Sequence, residues 1–143
     1  MACDETAIQQ LINRYVQCAN AWDHAGVAET FAPDGVWHLT SLDKVMNGRD
    51  EIIATASKVS EKFSLMVLMN TPALIEVDGD RATAVSTVRE SARLRDGGGS
   101  IEILGRYEDL VERRAEGWVF AKRKFTMLSM QKVEASDVTL PSV

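Results

Sequence analysis

The sequence predicts an α+β fold: three N-terminal helices packed on one face of a strongly curved, mostly antiparallel sheet. Three observations carry this. Residues 8–19 repeat apolar side chains at helical spacing, residues 65–131 read as consecutive strands, and the strand junctions carry identifiable turn residues. A long curved sheet wrapped around helices leaves a pocket between the two layers.

The first helix carries Ile8, Leu11, Ile12, Tyr15, Val16 and Ala19 on one face, with Asp4 or Thr6 as its N-cap. A second, short helix is capped by Asp23 and turns Val27, Ala28 and Phe31 inward. Residues 31–35 end it in a turn, and residues 36–40 form a short strand. Gly48-Arg49-Asp50 starts a third helix whose stripe is Ile52, Ile53, Ala56, Val59 and Phe63. Residues 1–131 are read as one domain and residues 132–143, polar and with Pro141, as a loose tail.

The strands can be aligned by counting from their turns. A three-residue loop Ala115-Glu116-Gly117 pairs Arg114 with Trp118 and sets Asp109 across from Arg123. An Asp78-Gly79 turn pairs Val77 with Asp80 and places Asn70 opposite Thr87. Pairing Arg95 with Ile101 across the Gly-rich loop then puts Thr87 opposite Asp109. The result is a polar row, Asn70–Thr87–Asp109–Arg123, on an otherwise apolar face that also holds Tyr107. Side chains alternate along a strand, so a one-residue slip turns a whole strand over. Asp109 and Arg123 form either a structural ion pair or part of a lined cavity, because a lone charge on a core face is costly. In such a pair Arg123 would hold Asp109 ionised. Four polar groups in one row favour an open, wet cavity.

Composition narrows the function classes. At 143 residues with 45% hydrophobic and 26% charged side chains, the chain is large enough for a true core. A net charge of −5 with dispersed Lys and Arg argues against nucleic-acid binding. No apolar run has membrane-spanning length, and Met1-Ala-Cys-Asp-Glu5 is not a signal peptide, so a cytoplasmic location is expected. Two cysteines, Cys3 and Cys18, make neither a disulfide framework nor a zinc site. His24 and His38 are read as surface residues, and no metal is expected.

Several stretches carry a resemblance: Tyr15…Asn20…Asp23…Phe31-Ala-Pro-Asp-Gly35, Asn47-Gly48-Arg49-Asp50, Val77-Asp78-Gly79-Asp80-Arg81-Ala82 and Gly105-Arg-Tyr107-Glu-Asp109…Gly117-Trp118…Arg123. In these the chain resembles the SnoaL-like branch of the nuclear transport factor 2-like superfamily, a cone-shaped α+β fold. The resemblance implies a conical pocket, no cofactor, and proton movement on hydrophobic small molecules. Dehydratase-type members carry a helix Asp and a strand His, positions that match Asn20 and Met66 here. Steroid-isomerase-like members use a Tyr and a protonated carboxyl that match Tyr15 and Asp109, but their base position matches Leu39. Arg123 matches a pocket arginine of dehydrohalogenase-like members. The chain therefore keeps parts of each pattern and completes none.

Tyr15, Asp109 and Arg123 are the candidate catalytic residues. Asn20, Trp37, Leu39, Met66, Asn70 and Tyr107 are the candidate ligand-binding residues. Three readings follow: a cofactor-independent lyase or isomerase, ranked first; a non-catalytic binder of an apolar small molecule; and a protein-interaction module using the outer sheet. A homodimer is implied by resemblance, burying Trp118 and Phe120 on the outer sheet face.

Overall fold

The apolar stripe of the first helix, α1 (Asp4–Asn20), is buried as its spacing dictates: Ile8, Leu11 and Ile12 are at most 1% exposed. Burying each such side chain stabilises the fold by about 1.5–3 kcal/mol. The N-cap is Cys3, in place of the expected Asp4 or Thr6. The computed structural model describes residues 3–134. After α1 come α2 (His24–Glu29), β1 (Phe31–Leu39), a single 3-10 turn (Thr40–Leu42), β2 (Lys44–Asn47) and α3 (Arg49–Ser60). The remainder is β3 (Phe63–Asn70), β4 (Leu74–Asp78), β5 (Arg81–Leu94), β6 (Ser100–Arg114) and β7 (Gly117–Val133). The expected tail starts at 132; β7 runs to Val133, and residues 135–143 lie outside those described.

The seven strands form one curved sheet in the order β2-β1-β7-β6-β5-β3, with β4 also pairing with β5. All ladders are antiparallel except β1 with β7. Residues 31–35, expected as a turn, are already strand, with a register shift between Phe31 and Val36. In α3 only Ile52 is fully buried; Ile53 packs partly buried against the core, while Ala56 and Val59 face a cavity. Phe63, assigned to that stripe, begins β3. No described helix is long and apolar enough to cross a membrane.

The registers correct the counting. The last hairpin turns on two residues, Ala115-Glu116, with Arg114 opposite Gly117. A bulge at Ala121 then restores the missing residue: Val111 pairs with Phe120, Leu110 with Lys122, and Asp109 with Arg123. The expected Asp109–Arg123 pairing is therefore present, reached through two compensating irregularities. The bulge also turns Phe120 inward; it is fully buried, so it cannot lie on an outer face available to a second subunit. Trp118 is likewise buried, with its indole N–H donating to Asp4 at 3.3 Å.

The polar row does not form. Asp78 pairs with Arg81, so the β4–β5 turn is Gly79-Asp80, and Asn70 meets Val88. Arg93 pairs with Ser100 across the Gly-rich loop, a register three residues away from the counted one. An odd shift reverses the face: Thr87 is exposed, and Ala84 stands opposite Asp109. Inward on β5 are Ala82, Ala84, Ser86, Val88 and Glu90.

Candidate active site

A cavity of about 190 Å³ lies between the inner sheet face and the three helices. Its floor is aromatic and includes Tyr15 from α1, Tyr107 from β6 and Phe125 from β7. Gly105 shapes that floor: a Cβ there would overlap the Phe125 ring, so only glycine leaves room for the ring to lie across β6. Trp37 and Leu39 from β1 and Met66 from β3 form further wall, while Trp22 and His24 stand at the α1–α2 corner. Tyr15, Trp37, Leu39, Met66 and Tyr107 were all expected in the pocket, and the structure brings them together.

The other four expected site residues are not on the cavity wall. Asn20 is used as a clip: its amide donates to the Leu68 carbonyl at 3.1 Å and its oxygen accepts from the Leu68 N–H at 2.7 Å. β3 is an edge strand, so these are backbone groups with no further strand to pair with. Asn70 donates to Ser86 Oγ at 3.2 Å, away from the cavity. Asp109 and Arg123 lie behind the aromatic floor with side chains 0% exposed, which corrects the expectation of an open, wet pair. Helix α1 closes over them with Tyr15.

The buried pair is unusual in its geometry. Arg123 Nε approaches Asp109 Oδ1 at 3.0 Å, yet the contact is not directed as a hydrogen bond, and no guanidinium nitrogen or carboxylate oxygen has such a partner. The guanidinium instead packs on three ring faces: Tyr107 at 3.7 Å, Tyr15 at 4.1 Å and Phe120 at 4.5 Å. Burial outweighs the arginine and raises the Asp109 carboxyl to about 6, opposite to the expected lowering. Burial also raises both phenols, Tyr107 further than Tyr15, while Arg123 acts against that rise in each.

Among the cavity-wall residues that sequence reasoning missed, one is a carboxylate. Glu90 is half-buried, has no salt-bridge partner among the described residues, and is pushed by burial up to about 7. Glu90 shares the cavity wall with Tyr15 and Tyr107, and its charge adds to the rise of both phenols. His24, read as a surface residue, is half-buried at the cavity rim, with Nε2 3.2 Å from Ser60 Oγ. The arrangement can hold an apolar molecule, exchange a proton at Glu90, and offer phenolic hydrogen bonds beside it.

This combination of helices, curved sheet and cavity can be set beside known proteins. The chain belongs to the SnoaL-like domain family. The family's sequence model matches residues 1–124. Among solved structures, a hexachlorocyclohexane dehydrochlorinase, LinA Type2, superposes with TM-score 0.86 at 21% identity, covering 96% of this chain and 94% of that one. A putative aromatic ring hydroxylase from Novosphingobium aromaticivorans gives 0.84 at 23% identity, covering 92% and 96%. A putative scytalone dehydratase from the same organism gives 0.82 at 18% identity, covering 96% and 94%. At these identities the likeness establishes the SnoaL-like, nuclear transport factor 2-like fold and no particular reaction. No curated protein matches the chain in sequence.

Proposed function

We propose that this SnoaL-like protein is a cofactor-independent lyase or isomerase that moves a proton on a hydrophobic small molecule held in the cavity. The observation that carries the reading is Glu90, the one carboxylate on that wall among the described residues, pushed by burial up to about 7. A general base works best when its pKa lies near the ambient pH, and apolar surroundings are how proteins bring a carboxyl there. In this reading Glu90 takes a proton from carbon beside a carbonyl. The carbonyl oxygen, becoming an oxyanion, accepts from the Tyr15 or Tyr107 hydroxyl. Return of the proton to another carbon gives isomerisation, and loss of a neighbouring leaving group gives a lyase. Arg123 and Asp109 are positioning residues, acting through the two tyrosine rings on which the guanidinium packs. A homodimer and a cytoplasmic location belong to the same proposal; light scattering tests the first.

The test is solvent deuterium exchange into a panel of cyclic, apolar ketones, followed by mass spectrometry. Glu90→Gln should slow exchange by about 10²–10⁴-fold. Exchange at the wild-type rate in that variant would remove Glu90 from the chemistry. The second reading, a non-catalytic binder, is favoured by Asn20 and Met66. They stand where the dehydratase resemblance puts the dyad, and Asn20 is fully committed to Leu68.

A further inference from the structure

The cavity wall presents one charge among many rings. Glu90 is its only carboxylate, and among the described residues no Lys or Arg lines it. The same wall carries Tyr15 from α1, Tyr107 from β6, Phe125 from β7, Trp37 from β1 and Trp22 from the α1–α2 corner. Of the other ionisable groups, the two tyrosines and His24 line the cavity, whereas Arg123 and Asp109 do not. Arg123 lies behind the tyrosines, fully buried and balanced by Asp109 at 3.0 Å. His24 of α2 sits at the rim beside Ser60.

The chemistry of a matching ligand follows from that inventory. A neutral apolar molecule filling the cavity covers an ionised Glu90 without giving it a partner, and an anionic one adds a second negative charge. A ligand carrying its own ammonium supplies the missing counter-charge, and the aromatic faces stabilise it further. We propose that the cavity binds protonated, ring-bearing lipophilic amines, with the ammonium paired to Glu90 and the apolar body packed among the aromatic side chains. The inference rests on the cavity being a small-molecule site, as proposed above, but not on turnover. An amine so held occupies the proton-transfer group and inhibits it.

Calorimetric titration of the full chain at pH 8 with 2-phenylethylamine, 2-phenylethanol and phenylacetate tests this. The amine should bind about tenfold tighter than the alcohol, and phenylacetate most weakly. Glu90→Gln should bring amine and alcohol to equal affinity; retained alcohol binding shows that the variant's cavity is intact. In the wild type, lowering the pH from 8 to 5 should weaken the amine and leave the alcohol unchanged. Glu90 gains its proton in that range, and Asp109, raised to about 6, gains one too and leaves Arg123 uncompensated behind the rings. An amine no tighter than the alcohol, or a preference that survives Glu90→Gln, would overturn the inference while leaving the small-molecule reading in place. Failure of both amine and alcohol to bind the wild type would overturn the two together.

Discussion

Replacing Arg123 by Met removes the only partner, among the described residues, of a carboxylate whose side chain is 0% exposed. Stranding one member of a buried ion pair costs about 3–5 kcal/mol. The same change strips a cation from three ring faces at 3.7–4.5 Å, though Met can fill much of the volume. The loss should depend on pH, because Asp109 without its arginine can escape by taking up a proton. At pH 8 the full cost appears. At pH 5, below the wild-type value of about 6, most of it should vanish. Adding Asp109→Asn removes the stranded charge, so the double variant should recover much of the stability at pH 8. Urea denaturation of wild type, both single variants and the double variant at the two pH values measures all of this. A loss below about 1 kcal/mol for Arg123→Met at pH 8, or no recovery in the double variant, would refute the buried-pair account.

Asn20→Ala should cost about 1–3 kcal/mol, because both Leu68 backbone groups on the edge strand lose their partner. Asn20→Asp should do no better, since it puts an acceptor against the Leu68 carbonyl; thermal melts check both. Glu90 holds its proton more tightly folded, near pH 7, than at its ordinary 4.5, so the native state is favoured while the group is protonated. Stability should therefore fall as pH rises between those values, by up to about 3 kcal/mol from this one group. Denaturant midpoints across that range should flatten in Glu90→Gln, which should also be the more stable protein at pH 8.

The helical stripe of α1 and the aromatic wall positions were legible because they rest on local periodicity and on residue type. Strand registers were not, because loop length alone was used to set them. The Gly-rich loop placed Thr87 inward when the strand itself said otherwise. Ala82, Ala84, Ser86 and Val88 are small or apolar at every second position, and continuing that alternation puts Glu90 on the inner face. The signal for the missed carboxylate was thus in the sequence, outvoted by a turn count. Asp109 opposite Arg123 was found, but their closure was not. Whether a pair meets water depends on what packs above it, and a strand pattern does not show that Tyr15 does. The Ala121 bulge left no readable mark, which is why Phe120 was assigned outward.

The central claim is that Glu90 is a carboxyl tuned by an apolar cavity to exchange its proton near neutrality. Carbon-13 NMR titration of the side-chain carboxyl of Glu90, assigned by its disappearance in Glu90→Gln, measures this directly. A midpoint of about 7 is expected. A midpoint at the ordinary value of 4.5 would mean that the carboxylate is solvated, and the proposed chemistry would lose its base.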